Sequence, residues 1–196
     1  MIITPWGYDI DEASLPPIIE GDAFDDITGG RWTGDGRVAA AIDSVTAAVR
    51  GYCGWHVGPS CGCVAVLDGE PGDIWLPVAY LSAVEYVKVG GEEADAVSFS
   101  RRGRIRTGSC IPRGLGNVEV KFTAGIPADS MPDLQAAIAS AVTNAIALTS
   151  YGVSQETAGD VSVSYSGTAL SNQGMLLPAN VRAALQPYRA VRAHAV

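Results

Sequence analysis

The sequence predicts an α+β fold in which helices bracket inserted antiparallel β-strands and an extended C-terminal arm follows. Three observations carry this. Apolar residues recur at helical spacing over 36–53 and again over 131–150. Between those stretches the pattern changes to short alternating runs separated by glycine-rich turn signals. Beyond residue 150 no period is sustained for long. Short strands at close spacing suit an antiparallel sheet or small sandwich, not a parallel nucleotide-binding sheet. The chain therefore divides into an acidic N-terminal extension (1–35), a core domain (36–155) and a C-terminal arm with a short helix (156–196).

The N-terminal extension carries Asp9, Asp11, Glu12, Glu20, Asp22, Asp25 and Asp26 before its first basic residue, Arg31. Pro16-Pro17 blocks a long helix, leaving room for one helical turn around Asp11 to Leu15. The Thr28-Gly-Gly and Thr33-Gly-Asp-Gly pieces read as loop. Its acidic residues form a solvated face, or a surface that meets a basic neighbour or lines a channel.

The first helix places Val38, Ile42, Val45, Val49 and Tyr52 on one stripe, and Gly51 and Gly54 mark its end. Strands are expected at Cys63–Leu67, Ile74–Leu76, Val84–Val89, Ala96–Phe99, Arg104–Arg106 and Val118–Phe122. Pro77 stops the second of these, Gly90-Gly91 turns the third, and Gly125 ends the last. Asp129 and Ser130 can cap the second long helix, and Pro132 fits its first turn. Leu134, Ile138, Ala141, Val142, Ala145 and Leu148 or Thr149 face one side of it. In the arm, Val161–Tyr165 alternates as a strand or extended segment. Residues 178–188 hold a short helix that ends before Pro187.

With 21 acidic and 13 basic residues the chain has a net charge of −8, so it lacks the basic excess of a free-standing nucleic-acid binder. An acidic protein can still sit beside DNA if its task is to let DNA slide. No stretch approaches the roughly 20 apolar residues of a membrane span. The first residues lack the basic and apolar regions of a signal peptide, so a soluble protein of intracellular origin is expected. The charge is also uneven along the chain: Arg182, Arg189 and Arg192 make the end basic, which favours head-to-tail association of like subunits or docking on an acidic partner.

Motifs for catalysis are wanting. There is no nucleophile elbow, zinc-protease helix, P-loop or dinucleotide fingerprint, and no carboxylate pair that spacing assigns to acid and base roles. The chain reads as a non-enzyme with no catalytic residues, no cofactor and no metal. Cys53, His56, Cys61 and Cys63 give C-x2-H-x4-C-x-C, unlike the paired spacing of a zinc knuckle. They read as reduced, partly buried thiols. A Cys53–Cys61 disulfide is disfavoured in a cytosolic product. Trp55, Trp75 and Tyr80 are expected in packing rather than in a base-stacking platform. The run Arg101, Arg102, Arg104 and Arg106 is the strongest local charge feature, and a hairpin would project the last three from one face. It reads as a solvated edge, or as a contact with DNA phosphates or an acidic subunit surface.

A helix ending in Tyr52-Cys-Gly-Trp-His-Val-Gly-Pro59 is followed by Ile74-Trp-Leu-Pro-Val78 and Val84-Glu-Tyr-Val-Lys-Val-Gly-Gly91. Then come Val118-Glu-Val-Lys-Phe-Thr-Ala-Gly125 and Met131-Pro-Asp-Leu-Gln135, which opens an alanine-rich helix. This order resembles the head-tail connector (adaptor, or head-completion) family of long-tailed bacteriophages. It is most similar to versions from phages of actinobacteria, through the Cys-Gly-Trp-His turn and the late Val161-Ser-Val-Ser-Tyr165 segment. The resemblance covers residues 36–190 in outline.

The resemblance implies a small helical bundle with inserted antiparallel strands. It further implies a homo-oligomeric ring, usually dodecameric, beneath the portal protein in the virion neck. Such a ring extends the channel for double-stranded DNA, without sequence-specific binding, and docks the next neck or tail protein. A C-terminal arm in this family embraces the portal, and Val161, Val163, Tyr165, Val181, Arg182, Leu185, Tyr188, Arg189 and Arg192 are the candidates here. Val38, Ile42, Val45, Val49, Leu134, Ile138 and Val142 would build the subunit core and interface. The alternatives are another neck component, such as a stopper or tail terminator, and a zinc-dependent enzyme using His56 and the cysteines.

Overall fold

A computed structural model describes residues 1–150, 155–158, 161–164 and 177–190. The protein is α+β, with antiparallel sheets throughout. In chain order the elements are β1 (Asp9–Ile10), α1 (Gly21–Thr28), α2 (Val38–Cys53), β2 (Cys61–Gly69), β3 (Ile74–Trp75), β4 (Leu81–Val89) and β5 (Glu92–Glu93). Then follow β6 (Ser98–Phe99), β7 (Arg104–Arg106), β8 (Gly114–Ala124), α3 (Pro132–Ser150), β9 (Gln155–Ala158), β10 (Val161–Ser164) and α4 (Ala179–Leu185). Two compact units share these elements. One comprises Met1–Ile18, Arg50–Pro132 and Gln186–Val196; the other comprises Ile19–Val49 and Asp133–Leu185.

The first unit is built on a five-stranded sheet of order β1-β2-β8-β4-β5. β8 is its central long strand, paired on one side with β2 (Cys63↔Phe122, Ala65↔Val120) and on the other with β4 (Val87↔Val120). Alternation sorts its faces as an antiparallel sheet with one dry side should. Val118, Val120, Phe122 and Ala124 are buried together with Cys61, Cys63, Ala65, Leu81 and Val87. On the other side Lys121 bridges Glu85 at 3.3 Å and Asp11 at 3.5 Å, and Tyr86 Oη donates to Glu119 at 2.7 Å. The strands expected at 63–67, 84–89 and 118–122 are all present and longer than their alternating cores.

The first ten residues depart from the irregular extension that their composition suggests. β1 pairs with β2 (Ile10↔Cys63), and Ile2 bridges Ile10 through both backbone hydrogen bonds. This covers a strand edge that would otherwise expose its donors and acceptors, and it buries Tyr8 and Ile10. A second, three-stranded sheet has the order β3-β7-β6, with Ile105 of β7 buried between Ile74 and Phe99. Trp75, expected in packing, is 46% exposed because it alternates with buried Ile74 on a two-residue strand.

The second unit holds α1, residues 38–49 of α2, most of α3, the β9–β10 pair and α4. Ile42, Val45 and Val49 of α2 are buried and Val38 is half-buried, so the stripe read from the sequence is the inner face. Leu134, Ile138, Ala141, Val142 and Ala145 of α3 are buried as their spacing requires, joined by Ile146. The side chains at 148 and 149 lie outside the described residues. Helix α1 was not legible: the expected turn at Asp11–Leu15 is absent, and the helix forms at 21–28 around buried Phe24. Gly29 closes it in the left-handed conformation at φ 64°, and Gly30 N–H bonds back to the Asp25 carbonyl. Helix α4 stops at Leu185, and a 3-10 turn, Gln186–Tyr188, takes over at Pro187. No described helix is long and apolar enough to cross a membrane.

Candidate functional site

The end of α2 and the turn after it organise the chemistry-bearing residues of the first unit. Arg50, in the last turn of α2, spends its guanidinium on three backbone carbonyls. It donates to His56 O at 3.0 Å, Gly58 O at 2.9 Å and Pro16 O at 2.6 Å. Burial brings its pKa down to about 10. The planar fork of donors ties the 56–58 turn to the N-terminal segment in a way a lysine could not.

His56 is fully buried. Its Nε2 lies 3.0 Å from the Ala124 carbonyl, which can only accept, so the ring proton sits on Nε2. Nδ1 then accepts from Tyr8 Oη at 2.7 Å, while Tyr8 Oη accepts the His56 backbone N–H at 3.1 Å. Every polar side-chain atom of the pair is thereby satisfied within the core. Burial, its largest cause, pushes the Tyr8 phenol well above its ordinary range. Gly125 makes room for the ring: a Cβ there would press on the Pro59 carbonyl and lie 2.7 Å from His56 Nε2, and φ is +112°.

Cys61 and Cys63 are successive inward residues of β2. Their sulfurs are 4.0 Å apart, and Cys61 Sγ is 3.5 Å from His56 Nε2. The hydrogen bond with Cys63 is the largest influence holding the Cys61 thiol below its ordinary value. The same contact, with burial, pushes Cys63 up. All four cysteines are free thiols, and Cys53 is raised to about 12 by burial. His56, Cys61 and Cys63 offer ligand atoms within 4.8 Å of one another. The donor set nonetheless fits a metal poorly: both imidazole nitrogens are already committed, and among the described residues only three side chains converge where zinc takes four ligands. The cluster is a hydrogen-bonded piece of core.

The same turn holds the start of the C-terminal segment. Trp55 Nε1 donates to the Tyr188 carbonyl at 2.7 Å, and Ala190 N–H donates to the Cys53 carbonyl at 2.9 Å. Tyr52 Oη donates to Gln186 Oε1 at 3.0 Å, and the Arg189 guanidinium lies 5.2 Å from the Tyr52 ring centroid. Beside this anchor runs an open groove of about 1300 Å³ lined by Pro5, Trp6, Gly7, residues 51–54, Pro77, Arg102, Gln186, Pro187, Arg189 and Ala190.

The four arginines of the basic run separate by role. Arg104 and Arg106 flank buried Ile105 on β7 and share Asp73, with Arg106 Nε at 2.8 Å. Their hydrogen bonds, that of Arg106 first, hold the Asp73 carboxyl at about 2. Arg104 also lies 5.4 Å from the Trp75 ring centroid, and Arg101 lies 5.7 Å from that of Tyr80. Arg102 turns instead to the groove. Of the candidate arm residues, Val181 and Leu185 are buried by the chain itself, Arg182 and Tyr188 are half-buried and Arg189 is exposed. Val161 and Val163 fall on β10, and Tyr165 and Arg192 lie outside the described residues. No local pattern marks Tyr8 or Arg50, because both act through partners distant in the chain or on the backbone.

No family model and no curated protein sequence matches the chain. Solved structures similar in fold include two chains from gene transfer agent particles. One is a chain in the neck of a native gene transfer agent particle computed with C12 symmetry, at 19% identity and TM-score 0.53, over 93% of this chain and 98% of that one. The other is a chain in the virion of a native gene transfer agent particle, at 19% identity and TM-score 0.51, over 96% and 98%. At this identity the likeness is one of fold.

Proposed function

We propose that the protein is a structural head-to-tail adaptor of a tailed phage or phage-like particle, closing a ring beneath the portal. The ring extends the DNA channel and presents the docking surface for the next neck or tail protein. The observation that carries this reading is a fold likeness through 93% of the chain to a subunit in a particle neck solved with twelvefold symmetry. The order of helix, short strands and helix that resembles the adaptor family supports it independently.

The role is mechanical. A heterologous ring needs each copy to give one patch and receive another, with closure set by the rotation between copies. A net charge of −8 per copy, repeated around a channel, repels phosphate and lets DNA pass without sticking. The C-terminal arm (156–196), held at residues 188 and 190 by Trp55 and Cys53, is the part that reaches the portal. Mass photometry of the purified chain with and without its portal protein tests the reading. A portal-dependent species with the mass of one added ring supports it; a chain that stays monomeric at all portal concentrations rules it out.

A further inference from the structure

We infer that the groove beside the end of α2 is the receiving half of the subunit contact, and that its occupant is helix α1 of a neighbouring copy. This rests on the ring reading above and specifies the surfaces that close it.

The groove combines Pro5, Trp6, Pro77 and Pro187 with two guanidiniums, Arg102 and Arg189, and no carboxylate lines it. That is an exception in a chain with 21 acidic and 13 basic residues. Of the other arginines of the first unit, Arg104 and Arg106 hold Asp73 and Arg50 holds three carbonyls, while Arg101 lies over the Tyr80 ring. Arg102 and Arg189 form no ion pair with any described residue, and Arg189 only stacks on Tyr52. Rigid aromatic and proline surface around unpaired arginines is the composition of an interface anchor. The chemistry it selects is a carboxylate pair with some apolar surface beside it.

Helix α1 carries that chemistry. Phe24 is its buried residue, and Asp22 and Asp26 stand one turn apart on the opposite side, both exposed. Neither has an ion-pair partner among the described residues, whereas Asp25 accepts from Thr33 Oγ1 at 3.0 Å. Ile27, 44% exposed, adds apolar surface next to Asp26. The chain's own last residues are a poor occupant, since Arg192 would bring a further cation to the two already there. A groove on one copy and a helix on the next make a heterologous contact, the kind that closes rings.

The test uses two full-length double variants, Arg102→Glu/Arg189→Glu and Asp22→Arg/Asp26→Arg, each checked for folding by circular dichroism. Ring formation is read by native mass spectrometry with portal present. Each variant alone faces like charge against like charge and should assemble at least about tenfold less well than the parent. An equimolar mixture restores both contacts in alternation, so mixed rings should return. Rings that persist in either variant alone, or folded variants whose mixture stays unassembled, overturn the inference and leave the ring reading intact. A parent chain that makes no ring with portal overturns both.

Discussion

Trp55 and Tyr188, 133 positions apart, are joined by one hydrogen bond from the indole Nε1 to the tyrosine carbonyl at 2.7 Å. The indole is fully buried and its polar edge ends where the C-terminal segment begins. Trp55→Phe keeps an aromatic ring and removes the donor, so the bond to the Tyr188 carbonyl is lost. We expect a loss of about 1–2 kcal/mol in urea melts, with faster amide exchange confined to residues 186–190. Unchanged exchange there would show that the Trp55 bond does not hold the segment.

Gly125 and His56 are matched in shape. Gly125→Ala places a methyl group against the Pro59 carbonyl and His56 Nε2 at a φ of +112°. The expected cost is at least about 3 kcal/mol, since backbone strain and the displaced His56–Ala124 bond act together. Thermal denaturation measures it, and a shift in midpoint no larger than that of Gly21→Ala, whose Cβ meets nothing, would contradict the packing described.

Tyr8 supplies a pH signature. Its pKa is raised in the folded protein, so the stabilisation tied to its proton is full below pH 10 and is lost as pH rises further. In that range the unfolded chain's tyrosine ionises while Tyr8 does not. Cys53, raised from 9 to about 12, acts in the same direction above pH 9. Tyr8→Phe leaves the His56 N–H and Nδ1 unpaired and should cost about 1–3 kcal/mol at pH 8. The gap between wild type and Tyr8→Phe should narrow between pH 10 and pH 11.5 in equilibrium urea melts. A gap independent of pH would count against a buried, protonated phenol.

The cysteine–histidine cluster gives a metal prediction. Because Nε2 carries the proton bonded to Ala124 and only three ligands converge, stoichiometric zinc should neither co-purify nor raise the melting temperature. Dialysis against a chelator followed by calorimetry checks this. A drop of several degrees on chelation, reversed by zinc, would show the imidazole rearranging to bind metal.

Much of the fold was legible because its long elements obey one period each. Ile42, Val45 and Val49 on α2, Leu134, Ile138 and Val142 on α3, and Val118, Val120 and Phe122 on β8 are buried where spacing put them. What escaped was decided by distant partners. Residues 1–10 join the sheet because β2 offers an open edge, a fact about tertiary structure that no local signal carries. Helix α1 has one buried side chain and no side-chain cap, too little periodicity to separate it from acidic loop. His56 was seen without partners because Tyr8 lies 48 residues earlier and Ala124 68 residues later. The arginine run was visible as charge, but its division between Asp73 and the groove depended on where the β3–β7 pair set Asp73.

Whether this chain closes a ring on the portal is read by cryo-electron microscopy of portal rings incubated with it, with class averages taken along and across the axis. The expected result is a closed ring of copies of this chain, coaxial with the portal and continuous with its channel. Portal rings left bare, or carrying single scattered copies that never close, would contradict it.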